Sequence, residues 1–240
     1  MEGTLRIVVI LLTIVACSTP KAEEEPYALP GLDHGLIQSP INIITDSLTE
    51  GHHQIKANFD SSHIEIVHLE HSVRINYDSG STVVFDGRVY EFQQFHFHTP
   101  AEHLIDGITY PMEVHLVHTQ KGDTSNIAHY FVLAVLFKMG DQDENIQEFI
   151  DLVPDEIGGI GYHRTKFYNI KFIFGINFKD YYHYTGSLTT PPFSETVHWA
   201  VSKHILEASP AQIAKLNQME GNNARHIQSV NGRKIELIHQ

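Results

Sequence analysis

Residues 82–98 (TVVFDGRVYEFQQFHFH) decide the fold class, because they predict β-strands joined by a tight turn. The runs on both sides of Asp86-Gly87 are rich in β-branched and aromatic residues, and Asp-Gly is a strong hairpin signal. Along a strand, alternate side chains point to the same face. His96 and His98 therefore share one face, and Phe97 points to the other. The segment predicts an antiparallel hairpin that carries a pair of imidazoles.

Similar patterns occur along most of the chain, so strands dominate the prediction. The turns between neighbouring runs are short, which favours antiparallel pairing. Two helices are predicted, one at 144–152 and one that follows Ser209 as N-cap and Pro210 as first residue. We predict a single, β-dominated α+β domain with a few peripheral helices. The further strand candidates are 63–70, 72–77, 113–118, 130–137, 171–174, 197–202 and 233–238.

The composition of the 240-residue chain is that of a globular protein, with 42% hydrophobic and 19% charged residues. The formal net charge is −13. Proteins that bind nucleic acids usually carry the opposite charge, because basic side chains neutralise phosphates. We therefore expect no nucleic-acid partner. The single cysteine excludes an intramolecular disulfide and a cysteine-rich zinc ribbon, and the 18 histidines draw attention to metal binding.

The first residues have the features of a leader peptide. Residues 7–15 (IVVILLTIV) are almost wholly apolar but shorter than the roughly 20 residues of a membrane span. The sequence that ends at Cys17 looks like a bacterial lipoprotein box. We expect a lipoprotein-type signal peptide at 1–16, a membrane anchor through lipid on Cys17, a polar tether at 17–30 and one domain at 31–240. The domain then lies outside the cytoplasm, in the periplasm or cell envelope. An ordinary secretory signal that contains a cysteine is the alternative.

Histidines on two predicted strands offer three ligands to one metal ion. His96 and His98 lie about 7 Å apart along their strand by the rise per residue, and His115 lies on another strand. Three neutral imidazoles without a thiolate form an open zinc site, with water in the fourth position. Gln94 and Glu113 each precede a histidine by two residues on the same face, where acceptors for the second ring nitrogen belong. One His-x-His pair arises easily by chance, but the joint pattern favours Zn²⁺.

Five motifs extend this pattern along the chain. They are Gln38-Ser39-Pro40-Ile41-Asn42-Ile43, Gln94-Phe95-His96-Phe97-His98, Ala101-Glu102-His103, Glu113-Val114-His115-Leu116-Val117-His118 and Gly186-Ser187-Leu188-Thr189-Thr190-Pro191-Pro192. In this order they resemble the α-class carbonic anhydrases over about residues 38–238. The link Thr99-Pro100-Ala101 is similar to bacterial members more than to vertebrate ones. The resemblance implies a large, twisted, mainly antiparallel central sheet with zinc at the base of a cone-shaped cleft.

The resemblance also implies an activity, the reversible hydration of carbon dioxide to bicarbonate and a proton by zinc-bound hydroxide. It implies His96, His98 and His115 as zinc ligands. It implies that Thr189 orients the hydroxide and that Glu102 receives the proton of Thr189. Thr190 is expected to contact the substrate. The apolar wall against which carbon dioxide rests is expected to contain Val117, Val135, Leu188, Val197 and Trp199.

A histidine that releases the product proton is also implied. His71 matches the shuttle histidine of the family, which relays a proton because its pKa lies near neutrality. The match is incomplete, because Leu69 and Glu70 stand where the family often has Asn and Gly. His68 is a rival candidate.

Other interpretations remain open at this stage. The chain is alternatively a catalytically weak or inactive zinc-binding module of the same family, or a zinc hydrolase that cleaves activated esters. The aromatic segment that usually precedes Gln38 is largely missing. Many secreted members carry a disulfide where this chain has Ile37 and Phe193, so that bond cannot form. Whether the chain forms a homodimer does not follow from the sequence.

Overall fold

Runs of β-branched and aromatic residues fold into strands along most of the chain. The computed structural model describes residues 35–124, 127–176 and 178–240. The predicted signal peptide, Cys17 and the tether lie outside these ranges. The described helices are a 3-10 helix at Thr45–Ser47, α1 (Glu144–Leu152), α2 (Ile170–Ile173) and α3 (Pro210–Glu220). The described strands are β1 (Asn42–Ile43), β2 (Thr49–Glu50), β3 (Ile55–Asn58), β4 (Ser62–Leu69), β5 (Ser72–Tyr77), β6 (Thr82–Phe85), β7 (Arg88–His98), β8 (Leu104–Ile105), β9 (Ile108–Thr109), β10 (Met112–Gln120), β11 (Tyr130–Met139), β12 (Ile160–Tyr168), β13 (Asp180–Gly186), β14 (Val197–Ser202), β15 (Leu206–Ala208) and β16 (Glu236–His239).

One large mixed sheet organises the described part of the chain. Its thirteen strands include the path β12-β4-β5-β7-β10-β11-β14-β13-β16-β2, from which β3, β6 and β15 branch. Most neighbours are antiparallel, but β14 and β15 run parallel to β11, and β2 runs parallel to β16. A small separate sheet contains β1, β8 and β9. The predicted fold class is confirmed: a single, strand-dominated domain with a large, mainly antiparallel sheet.

The two faces of the central sheet bury different cores. We call one face the large-core face; it holds Phe95 and Phe97 of β7 and is packed by α1 and α3. Each of these fully buried rings contributes about 1.5–3 kcal/mol by its removal from water. We call the other face the small-core face; it holds Tyr184 and Trp199. Because side chains alternate along β7, His96 and His98 project from the small-core face.

The helices agree with the sequence at two places and differ at one. Helix α1 has the predicted bounds, and Ser209 and Gln212 form a capping box at the start of α3. The predicted strand 171–174 is wrong, because these residues belong to α2 and the turn after it. The Asn169 side chain accepts a hydrogen bond from the Lys171 backbone N–H at 3.0 Å and so starts a helix. No helix within the described ranges combines the length and the apolar character that membrane crossing requires.

Hydrogen bonds connect the segment before β1 to the loop after β13, where a disulfide is impossible. Glu195 Oε1 accepts bonds from the backbone N–H of Ile37 at 2.8 Å and from the side chain of Gln38 at 2.9 Å. Ser39 and Ser187 exchange two backbone-to-hydroxyl bonds of 2.9 and 3.1 Å. The Gln-Ser-Pro motif and the Pro-Pro loop are thus held together by polar contacts.

Candidate metal centre

Three histidines from adjacent strands converge on the small-core face. His96 and His98 lie on β7, and His115 on β10 is the register partner of His96. One ring nitrogen of each lies within 4.8 Å of one nitrogen of both others. The ring centroids are 4.5 to 5.5 Å apart. The alternation of β7 and its antiparallel register with β10 therefore produce the predicted histidine triad.

Hydrogen bonds of the outer ring nitrogens leave one nitrogen of His96 and one of His115 directed inward. His96 Nδ1 donates to Gln94 Oε1 at 2.9 Å, and His115 Nε2 donates to Glu113 Oε1 at 2.7 Å. The buried His98 has no hydrogen-bond partner on either ring nitrogen within the described residues. Buried polar atoms without a partner are costly, and a metal ion would satisfy the His98 nitrogen that faces the triad. The site fits a Zn²⁺ ion held by three imidazoles.

Glu113 anchors the site from behind. Besides His115, its carboxylate accepts bonds from His103 Nδ1 at 2.6 Å and from the backbone N–H groups of Glu102 and His103, both at 2.8 Å. His103 in turn contacts the Tyr184 hydroxyl at 2.6 Å. This buried network fixes the orientation of the His115 ring. The roles of His103 and Tyr184 were not recognised from the sequence, because neither has a periodic relation to the ligands.

Burial keeps the three imidazoles neutral. Burial lowers the pKa of His98 to about 4, and it also lowers the pKa of His115. The pKa of His96 lies well below its usual value through burial first and then through His98 and His115. Burial alone would raise the pKa of Glu113, but His103 and His115 outweigh it and hold that pKa well below its usual range. Neutral imidazoles backed by an anion are the protonation states that zinc binding needs.

Glu102 directs one carboxylate oxygen at the triad. Its Oε2 lies 3.6 Å from His98 Nε2 and 3.9 Å from His115 Nδ1. Its Oε1 accepts a bond from the backbone N–H of Arg225 at 2.9 Å. Burial raises the pKa of Glu102 to about 7, against the lowering effect of Arg225 and of the Thr189 hydroxyl, among others. Because Oε2 has no hydrogen-bond partner in the described chain, it is available to accept one.

An apolar wall stands beside the triad, but one of its predicted members lies elsewhere. Val117, Leu188, Val197 and Trp199 all belong to the small-core cluster. The prediction for Val135 is wrong, because its side chain packs in the core of the opposite face.

Val132 takes the place that the sequence analysis gave to Val135. It belongs to the small-core cluster and pairs in register with Val117 on β10 and with Trp199 on β14. Positions 132 and 135 are an odd number of residues apart and so point to opposite faces of β11. The continuous apolar run 131–137 hides this alternation in the sequence.

Arg74 is a charged neighbour of the triad that the sequence analysis missed. It is the register partner of His96 on β5 and is one of the groups that lower the pKa of His96. It projects from the small-core face, because Val73 and Ile75 on either side of it belong to the large core. Its Nε is buried without a hydrogen-bond partner among the described residues. The alternation of polar and apolar residues along 72–77 was the sequence signal that Arg74 lies on the face opposite to Val73 and Ile75.

The remaining predicted residues differ in their exposure to solvent. Thr189 is nearly buried, and Thr190 is exposed. His71 is exposed in the turn between β4 and β5, where its carbonyl accepts a bond from Asn223 Nδ2 at 3.1 Å. His68 is buried, and its Nδ1 contacts the Pro154 carbonyl at 2.7 Å. Of the two candidate histidines, His71 is therefore in contact with solvent and His68 is not.

Comparison with known proteins identifies relatives along most of the chain. A family model for eukaryotic-type carbonic anhydrase matches residues 28–239. A carbonic anhydrase of Neisseria gonorrhoeae is 33% identical over 203 residues, which cover 84% of this chain and 77% of that protein. One of Pectobacterium atrosepticum is 34% identical over 202 residues, with 84% and 80% covered. The α-carbonic anhydrase of Thermovibrio ammonificans, solved with the inhibitor sulfanilamide, superposes with a TM-score of 0.77 at 34% identity and covers 84% and 87% of the two chains.

Proposed function

The chain is an enzyme of the eukaryotic-type, or α-class, carbonic anhydrase family, and from this premise we propose that it catalyses the zinc-dependent, reversible hydration of carbon dioxide to bicarbonate and a proton. The observation that carries the proposal is the convergence of His96, His98 and His115, each with one inward ring nitrogen. In carbonic anhydrases a bound zinc ion lowers the pKa of water from 15.7 to about 7, which makes a nucleophile available at neutral pH.

The three imidazoles would hold the ion through His96 Nε2, His115 Nδ1 and one nitrogen of His98. They carry no charge, so the positive charge of the ion stays largely uncompensated toward solvent. Gln94 and Glu113 keep the rings in the orientation for binding. Glu113 contacts the outer nitrogen of His115 and not the ion. It therefore raises the basicity of His115 without occupying a coordination position.

Glu102 and Thr189 orient the reacting water. The Thr189 hydroxyl donates a hydrogen bond to the Glu102 carboxylate and accepts one from the water. The influence of Thr189 on the pKa of Glu102 supports this pairing. One lone pair of the water then faces the carbon atom of the substrate. This orientation lowers the activation barrier of the hydration step.

The apolar wall receives carbon dioxide, which has no charge to pair. Val117, Val132, Leu188, Val197 and Trp199 form this wall. A neutral, linear molecule rests there without the desolvation cost that an ion would incur. Bicarbonate, once formed, is anionic and is released toward the exposed Thr190.

A stopped-flow assay of carbon dioxide hydration on the zinc-loaded full chain tests this function. We expect hydration well above the uncatalysed rate, and we expect His96→Ala to reduce it to background. The exposed His52 supplies a control, because His52→Ala leaves the triad intact. Zinc uptake without hydration would instead identify a binding module, and ester cleavage without hydration would identify a hydrolase.

His71 serves as the proton relay between the reacting water and buffer. Its exposed position in the turn before β5 supports this role. We expect His71→Ala to reduce the hydration rate at least about tenfold in weak buffer, with recovery on addition of imidazole. His226→Ala, at another exposed histidine, is the control. An unchanged rate of His71→Ala in weak buffer contradicts the role.

The enzyme is anchored outside the cytoplasm through lipid on Cys17. The apolar run 7–15 and the position of the only cysteine support this. Mass spectrometry of the membrane fraction should find acyl chains on an N-terminal Cys17, and Cys17→Ser should release the protein from that fraction. An unmodified Cys17 in a protein that is not membrane-bound eliminates the anchor.

A further inference from the structure

A second histidine cluster lies on the large-core face, away from the catalytic triad. It contains His53 from the segment between β2 and β3, His183 from β13 and Glu236 from β16, and Glu236 is the register partner of His183. His183 contacts the large-core residue Phe85 with ring centroids 5.1 Å apart. Tyr184, the next residue, points to the small-core face. The sheet therefore separates this cluster from the catalytic site.

The three side chains offer ligand atoms at the spacing of a metal site. Glu236 Oε2 lies 2.9 Å from His53 Nε2 and 3.4 Å from His183 Nδ1. One ligand atom of each residue lies within 4.8 Å of those of the other two. Ligands of a tetrahedral zinc ion, at bond lengths of about 2.0–2.2 Å, are separated by roughly 3.3–3.5 Å. The separations of 2.9 and 3.4 Å from Glu236 Oε2 are close to these values.

The outer nitrogens of both histidines have partners, as they do in metal sites. His53 Nδ1 donates to Asp86 Oδ2 at 2.5 Å, and Asp86 Oδ1 is held by the backbone N–H of Gln54 at 3.0 Å. His183 Nε2 lies 3.4 Å from His198 Nδ1. A carboxylate behind a ligating histidine fixes the tautomer that presents the other nitrogen to the metal. The cluster thus has both a ligand set and a supporting layer.

Charge and accessibility also suit a cation. Burial, together with the nearby His53 and His198, lowers the pKa of His183 to about 4, so its imidazole is neutral. Burial alone would raise the pKa of Glu236, but hydrogen bonds from Lys234, His53 and His183 lower it to about 2. The side chains of His53 and Glu236 are 26% and 15% exposed, so solvent reaches the cluster and can complete the coordination shell.

We propose that His53, His183 and Glu236 form a second Zn²⁺ site, distinct from the catalytic centre. Two neutral imidazoles and one carboxylate are ligands that zinc accepts in proteins. The bound ion joins the segment before β3 to the paired strands β13 and β16, which are remote in sequence. Because only the folded chain brings the three ligands together, zinc binding here stabilises the fold.

The number of zinc ions bound by the full chain tests this site. At saturating free zinc, equilibrium dialysis followed by elemental analysis should find two zinc ions per wild-type chain. We expect one in His53→Gln and one in Glu236→Gln, with the hydration rate retained in both as a sign that the catalytic ion is present. Both altered side chains are partly exposed, so these variants avoid the folding risk of a change at the buried His183.

Two controls make the result unambiguous. His52→Ala alters an exposed neighbouring histidine outside the cluster and should keep two zinc ions. His96→Ala should also keep one ion, at the second cluster, although hydration is lost. A wild-type chain that binds one zinc ion overturns the proposal and leaves the cluster as a hydrogen-bonded group of His53 with Asp86 and Glu236. Two ions retained in both His53→Gln and Glu236→Gln overturn it as well, because the second ion would then lie elsewhere.

Discussion

The two histidine clusters lie on opposite faces of one sheet and differ in where they place the carboxylate. In the catalytic centre the inward atoms all belong to imidazoles, and Glu113 contacts a ligand from behind. In the second cluster Glu236 itself lies among the inward atoms. The side chains of His98 and His115 are 4% and 2% exposed, whereas that of His53 is 26% exposed. The catalytic centre is buried except at the partly exposed His96, whereas the second cluster is partly exposed at both His53 and Glu236.

This difference decides what a metal ion does at each place. A carboxylate within the ligand set neutralises part of the charge of the ion, which weakens its ability to acidify water. A carboxylate that contacts only the outer nitrogen of a ligand histidine orients that ligand and does not reduce the charge of the ion. Low exposure further strengthens electrostatic effects in the catalytic centre. The same residue types therefore suit catalysis on one face and stabilisation on the other.

The largest expected effect comes from removing the charge of the supporting carboxylate in the catalytic centre. Glu113→Gln keeps the shape of the side chain but weakens its bonds to His115 and His103. We expect a loss of about 10- to 100-fold in zinc affinity or in hydration rate. Isothermal titration with zinc and stopped-flow hydration measure the two quantities.

Glu236→Gln is the matched change in the second cluster. It should leave the hydration rate at the wild-type value, because Glu236 lies across the sheet from the triad. Equal hydration losses in Glu113→Gln and Glu236→Gln would contradict the separation of the two clusters.

A smaller effect is expected from Arg74, which adds positive charge to the catalytic face. The guanidinium attracts bicarbonate toward the centre, because Arg74 and His96 are direct neighbours across two strands. Loss of one charge near the surface costs on the order of 1 kcal/mol. Arg74→Gln should therefore raise the KM for bicarbonate about fivefold in the dehydration direction, measured by stopped flow at constant ionic strength.

Arg88, near the second cluster, supplies the control for Arg74. It is exposed, and after burial it is the next cause that lowers the pKa of His198 beside the second cluster. Arg88→Gln should leave the KM for bicarbonate unchanged. If Arg88→Gln and Arg74→Gln raise it equally, the effect is one of net charge and not of position.

Local chemistry made much of the fold and of the catalytic centre predictable. The Asp86-Gly87 signal corresponds to two successive residues with positive φ, 47° and 80°, as the tight hairpin turn requires. Ser209 starts α3 because its hydroxyl accepts a bond from the backbone N–H of Gln212. Gln94 and Glu113 contact the histidines two residues later because strand alternation fixes that relation. All of these signals lie within a few residues of each other.

Features that depend on long-range packing were not predictable in the same way. The run 131–137 is apolar throughout, so its composition does not tell which residues face the catalytic wall, and Val135 was placed on the wrong side. The ligands of the second cluster are separated by up to 183 residues, and they meet only because β16 pairs with both β13 and β2. The bond from the backbone of Arg225 to Glu102 spans 123 residues and involves a backbone group, which leaves no trace in the residue types.

The smallest expected effect is a response of the second cluster to acid in the absence of metal. Glu236 has a folded-state pKa of about 2, below the ordinary 4.5, so the unfolded chain takes up a proton first as the pH falls. The stabilising contribution of Glu236 is therefore complete above about pH 4.5 and is lost as the pH falls toward 2. Because solvent screens this carboxylate, the contribution is about 0.5–1 kcal/mol.

In a chelating buffer, Glu236→Gln should lower the free energy of unfolding by this amount at pH 6 and by less at pH 3, as measured by urea denaturation. High salt should also shrink the difference at pH 6, since exposed ion pairs are screened. A difference that is unchanged by both acid and salt would mean that Glu236 stabilises the fold through packing and not through its charge.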